Sequence, residues 1–241
     1  MGSIAFGGWD RVDLALLNAL RDAVDRHRRF LSVVNPLSSN ALRAAARTYA
    51  DYYAKIYRAA QQVSDAQLVV DSGKHPTLAA ALTHDTSIDL RVLHLIRDSV
   101  AVAYSWSKEV HRPESRSGIN DLMAQYSGTY SAMLWNLTAL ETEALALRHT
   151  ATARMRYEDF VTNPAETLRV TLTRLNLAQF SPQMDRAVTL RAQHTVSGNP
   201  VRFERGTLTL RKDDAWRTAM DTQERRKVAL LSSPLRKVYG Y

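Results

Sequence analysis

Three short segments that read as strands, each followed by residues at helical spacing, constrain this chain more than any other feature. Residues 67–72 and 91–98 are apolar runs rich in Val, Leu and Ile that end in polar groups, which predicts buried strands, and 152–157 is expected to be a third. Between and around them, apolar residues recur three and four apart. Val12, Leu16, Leu17, Leu20, Ala23 and Val24 predict one helix over residues 10–30, stopped by Asn35-Pro36. Further helices are expected over 40–62 (with Asn40 as cap), 76–83, 101–110, 120–148 and 164–175. Two closing helices follow an irregular stretch at 194–211, and 111–118 reads as a polar loop. Strand–helix order with nearly continuous apolar strands predicts an α/β fold: a parallel sheet flanked by helices and covered on both faces. With no repeat and no linker, a helix-rich single domain over 1–241 is expected.

Composition narrows the chemistry. The chain has no Cys, which excludes disulfides, thiolate catalysis and Cys-ligated metal centres. No apolar run approaches the roughly 18 residues that span a bilayer, and the first residues carry neither a secretory nor a myristoylation pattern. A cytoplasmic protein without integral membrane association is therefore expected. The net charge of +8 favours anionic partners, and 26 of the 32 cations are Arg, whose planar fork grips phosphate or sulfate oxygens in pairs. Nucleic acid is not expected: the only dense basic run, Arg26-His27-Arg28-Arg29, has no interleaved aromatics and reads as a solvated helix face. His27, His84, His111 and His149 show no ligand spacing, so no metal site is expected, and His94 reads as a core histidine.

In a parallel α/β sheet, ligands gather beyond the carboxyl ends of the strands. The three predicted strand ends carry Asp71-Ser72-Gly73-Lys74-His75-Pro76, Arg97-Asp98 with Ser105 eight residues on, and Tyr157-Glu158-Asp159. A cation, a hydroxyl and a phenol in such places suit a phosphorylated nucleotide. Arg97 would pair with phosphate oxygens, and Ser105, two helical turns later, would complete the contact. Tyr104, Trp106, Trp135 and the methionines of 120–148 read as packing.

These residues resemble a family. The run from Leu93 to Ser105 is similar to the 3′-phosphate-binding segment of sulfotransferases that use 3′-phosphoadenosine 5′-phosphosulfate (PAPS), with Arg97 and Ser105 at that segment's spacing. Arg156-Tyr157-Glu158-Asp159-Phe160, followed by Asn163-Pro164-Ala165-Glu166-Thr167-Leu168, resembles the second signature, in which the tyrosine approaches adenine. Lys74 falls where bacterial and tyrosylprotein members place a catalytic lysine. His194, Ser197-Gly198-Asn199-Pro200-Val201-Arg202-Phe203, then Asp214 and Trp216 resemble the cofactor-closing segment of bacterial members.

The resemblance covers effectively the whole chain and implies a P-loop NTPase-like, sulfotransferase-type fold. It also implies transfer of a sulfuryl group from PAPS to a hydroxyl of a small-molecule, glycan or lipid acceptor, leaving 3′,5′-adenosine bisphosphate, without a metal. Lys74 would neutralise the leaving oxygen. His75, where the family often has an acid, would take the acceptor proton or else cap the following helix. Arg97, Ser105, Tyr157, His194, Gly198, Asn199 and Arg202 would hold the nucleotide.

The family's opening strand and its Gly/Ser/Thr-rich 5′-phosphosulfate loop have no counterpart in this sequence; Gly7-Gly8-Trp9 follows no apolar strand. Impaired transfer is one expectation that follows, and an inactive sulfotransferase-like fragment or binding protein is the alternative. A nucleotide-dependent transferase of the P-loop kinase type is the further alternative, against which stands the absence of G-x-x-x-x-G-K-[ST]. Acceptor identity, the general base and oligomeric state are not legible.

Overall fold

A computed structural model describes residues 1–73, 75–111, 122–148, 150–190 and 203–241. The chain divides into two compact units: Met1–Val92 with Leu137–Thr152, and Leu93–Asn136 with Ala153–Tyr241.

The first unit is helical. α1 (Gly2–Phe6) closes on Gly7, whose φ of 76° suits a residue without a Cβ. α2 (Leu14–Val24) starts where the Asp13 carboxylate accepts the Leu16 N–H at 2.9 Å. The single helix expected over 10–30 is broken at Asp25, which leaves helical geometry (φ −104°, ψ 59°). Its carboxylate accepts hydrogen bonds from the Tyr49 hydroxyl at 3.0 Å and from the Thr77 hydroxyl, so a distant partner overrides local propensity. A 3-10 turn over His27–Arg29 and α3 (Phe30–Val34) follow. α4 (Asn40–Ser64) is capped by Ser39, which accepts the Leu42 N–H at 3.2 Å; Asn40, the expected cap, is its first helical residue. α5 (Pro76–Leu82) places Pro in its first turn, where the missing N–H costs nothing.

Ala46, Tyr49 and Ala50 on α4 are buried one turn apart. Leu20, Val24, Phe30, Val33, Tyr49, Ala80, Ala81 and Leu145 close the core of this unit.

Two expectations fail in this unit. Residues 67–72 form no strand; instead the Tyr57 hydroxyl donates to Asp71 Oδ2 at 2.6 Å, and Val70 stays exposed. The Arg26–Arg29 run is not simply a solvated face either. His27 Nδ1 lies 2.8 Å from Oε2 of Glu141, a carboxylate only 4% exposed. Burial pushes the Glu141 pKa up, and the opposing pull of His27 does not reverse it.

In the second unit, β1 (Arg91–Ile96) and β2 (Ala151–Arg156), whose first two residues belong to the other unit, form a two-stranded parallel sheet. Asp98 caps α6 (Ser99–Ser107) by accepting the Val100 N–H at 2.9 Å. The long helix expected over 120–148 is α7 (Gly128–Leu147), continuing into the first unit from Leu137. α8 (Tyr157–Thr162), not expected, leads from β2 into α9 (Pro164–Arg174). β3 (Ala187–Leu190) pairs antiparallel with β4 (Gly206–Thr209), Ala187 facing Thr209, where no sheet was expected. α10 (Trp216–Ala219), α11 (Thr222–Leu231) and α12 (Ser233–Val238) end the chain.

Val100, Ala101, Ala103, Ala132, Trp216 and Val228 form the core of this unit. The sheet is not covered on both faces as expected: Leu93 and Leu95, two apart and so on one face, are 36% and 51% exposed.

Two measurements test the first unit. Leu145→Ala empties a site that is 1% exposed and is expected to cost about 2–5 kcal/mol in denaturant unfolding. For Glu141, a raised folded pKa means the folded state binds more protons. That share of stability is full below the ordinary value of 4.5 and is lost as pH rises through the raised one. Melting curves of the wild type should therefore lose ground against Glu141→Gln as pH rises through this window. Parallel curves would contradict the assignment.

Candidate anion-binding cleft

β1 and β2 lie side by side and run in the same direction, so their carboxyl ends open at one place in the second unit. The residue immediately after β1 and α6's cap form the pair Arg97-Asp98, and the residue immediately after β2 is Tyr157, which opens α8. The Arg97 guanidinium carbon sits 4.8 Å from the centroid of the Tyr157 ring. At that distance the ring face attracts the cation. Two residues proposed from sequence for nucleotide binding are thus brought into contact.

Arg97 is held from other sides as well. The Trp135 indole N–H donates to the Arg97 carbonyl at 3.0 Å, so Trp135, read from sequence as packing, fixes the backbone of this cation. Arg97 Nη2 donates to Asp213 Oδ2 at 2.9 Å. The Arg97 Nε is buried and has no hydrogen-bond partner among the described residues. The fork is therefore half used: a carboxylate in bidentate pairing would engage Nε as well as Nη2. Burial pushes the Asp213 pKa up, but the Arg97 bond, the Ala215 N–H and the charge of Lys108 outweigh it and hold the carboxyl below its ordinary range.

Beside this contact lies a cleft of about 230 Å³ whose walls include Tyr157, Glu158, Lys212, Asp213, Trp216 and Tyr241. Sites for whole drug-sized ligands run to about 300–1,000 Å³, so this space has room for a small group rather than for a ligand of that size. Arginines stack on aromatic rings around it. Arg156 lies 4.5 Å from the Tyr241 centroid, and Arg217 lies 4.5 Å from that of Trp216.

The cations are already answered by acids. Arg217 Nε is 3.1 Å from Asp214, Lys212 is 3.9 Å from the same carboxylate, and Arg156 is 4.0 Å from Asp159. Although the chain is strongly basic, five carboxylates line this cleft against three cations, so it offers no open positive field.

Along the cleft wall a half-buried polar network ties the strand ends together. Asp98 Oδ2 accepts from Arg236 Nη2 at 2.8 Å, while the Asp98 N–H donates to Glu158 at 3.3 Å. The Tyr241 hydroxyl donates to the other Glu158 oxygen. Burial first, and the Glu158 carboxylate second, push the Tyr241 pKa well above its usual value.

The remaining candidates fall elsewhere. Ser105 is half-buried on α6 and, like Arg97 itself, is not part of the cleft wall, which Arg97 adjoins only through Tyr157 and Asp213. His75 belongs to the first unit. It precedes α5 without a side-chain capping bond, and its ring meets that of His27 edge-on at 5.1 Å. Lys74, His194, Gly198, Asn199 and Arg202 lie outside the described residues. Sequence reasoning missed Asp213, Trp135 and the Glu158–Tyr241 pair. Asp213 adjoins Asp214, which the sequence did single out, but nothing local says that it reaches back to Arg97.

Asp98 carries a direct test. Asp98→Asn keeps an oxygen for the Val100 N–H but removes the charge facing Arg236, whose side chain is 18% exposed. A loss of about 1–3 kcal/mol in unfolding free energy is expected. A neutral result would show that Arg236 finds another partner.

Among the described residues no helix is long and apolar enough to cross a membrane, and no group of three or more His, Asp or Glu is placed to hold a metal ion. No protein-family model, no curated protein and no solved structure matches this chain.

Proposed function

We propose that this chain is a sulfotransferase-type protein whose second unit holds the 3′-phosphate end of an adenosine 3′,5′-bisphosphate-class nucleotide. The observation that carries this reading is the Arg97 guanidinium over the Tyr157 ring, each on the first residue after one of two neighbouring parallel strands. A planar cation with an unpartnered Nε suits a phosphate oxygen pair, and an adjacent phenol ring suits a base or ribose. The resemblance of the Arg97 and Tyr157 segments to the PAPS-binding signatures supplies the identity of the nucleotide.

The donor would supply the sulfuryl group, and a hydroxyl of a small-molecule, glycan or lipid acceptor would receive it. Transfer of this kind passes through a loose transition state in which positioning and fixed donors do most of the work. In that reaction Arg97 and Tyr157 are anchoring groups. The excess of carboxylates over cations in the cleft favours a second reading, a binding protein that does not turn over. The two share the Arg97 anchor and differ only in whether labelled sulfate leaves PAPS.

Isothermal titration at low ionic strength, with adenosine 3′,5′-bisphosphate competed against ATP, tests the anchor. The bisphosphate is expected to bind ahead of ATP, and Arg97→Ala to weaken it by about tenfold or more. Absence of heat, or indifference to Arg97→Ala, would overturn both readings.

A further inference from the structure

The contact between Arg97 and Asp213 is far more open to water than the other Arg–Asp pair at these strand ends. In the pair of Asp98 with Arg236 the carboxylate is 9% exposed, and both of its oxygens are used. Asp213 also uses both oxygens but differs in exposure. Its side chain is 40% exposed, so water can take over its charge when the partner leaves. Like Asp98 with Arg236, it holds its arginine through a single bond, Nη2 to Oδ2, and leaves the buried Nε unanswered among the described residues. Its other oxygen, Oδ1, accepts the Ala215 N–H at 3.3 Å, a bond that survives if Arg97 is released.

We propose that Asp213 is an internal competitor, a carboxylate that occupies the Arg97 fork and must be displaced by the phosphate-class anion that binds there. The inference rests on the nucleotide-binding reading and adds its regulation. A phosphate monoester has more charge than a carboxylate and three oxygens, enough to bridge Nε and Nη2 together. Exchange at the fork therefore gains a second bond and satisfies a buried donor. The displaced carboxylate stays solvated, still bonded to Ala215, with the charge of Lys108 acting on it. The competitor sets a fixed cost on every anion, so the free protein keeps Arg97 paired and binds only ligands whose remaining contacts exceed that cost.

The test uses the full chain and adenosine 3′,5′-bisphosphate at low salt, titrated calorimetrically into wild type, Asp213→Asn, Arg97→Gln and the double variant. Asp213→Asn is expected to tighten binding about threefold to fivefold, the worth of a partly exposed ion pair. Arg97→Gln should abolish that gain in the double variant.

If the wild type binds in an Arg97-dependent way and Asp213→Asn does not tighten it, the competitor idea falls and the nucleotide reading stands. If neither wild type nor Asp213→Asn binds through Arg97, the nucleotide reading itself falls. Should Asp213→Asn fail to fold, the wild type alone decides by nitrogen-15 NMR. The Arg97 Nε–H resonance should move downfield on saturation as that donor gains a partner. An unmoved resonance at saturation overturns the proposal.

Discussion

The second unit depends on a carboxylate with no freedom left. Asp98 spends one oxygen on the first turn of α6 and the other on Arg236, while its own N–H reaches Glu158. Glu158 in turn receives the Tyr241 hydroxyl, whose oxygen also lies 3.1 Å from the Ile96 carbonyl. The end of β1, the start of α8 and the last helix are thereby joined in one closed network. Buried polar groups of this kind are costly when half satisfied and specific when complete. Arg97 and Tyr157, each next to a member of this network, inherit their positions from it.

Such a network explains which parts of the fold the sequence announces. β1, β2, α5 and α9 were legible to within a residue or two, because apolar runs and Pro at helix starts are local signals. The break after Val24 was not, because Asp25 leaves the helix to meet Tyr49 and Thr77 far along the chain. Residues 67–72 have the composition of a strand, but a strand exists only through a partner, and composition does not supply one. β3 and β4 are four residues each, too short to signal themselves by alternation. The site divides along the same line. Arg97 and Tyr157 were readable as strand-end residues, whereas Asp213 and Trp135 act on Arg97 across 116 and 38 positions.

The first unit shows the same principle without a cleft. Glu141 faces inward on α7 and would be an uncompensated buried charge but for His27, which the sequence placed among solvated cations. One imidazole turned inward changes the meaning of a basic run. Arg26, by contrast, pairs with Asp22 one turn earlier on the exposed side.

Geometry also explains why Arg rather than Lys stands at residue 97. A guanidinium has a face and an edge, and the two take different partners. The guanidinium carbon lies 4.8 Å from the Tyr157 centroid, and an N–H of the edge meets Asp213. An ammonium has no such division, so a new anion would compete with the ring for the same point charge. In the exchange proposed above, one anion would replace another at the edge alone. The ring and the Trp135 bond to the main chain hold the cation from other sides. An arginine so held, with one edge N–H paired and its Nε without a partner among the described residues, has the arrangement that such an exchange would use.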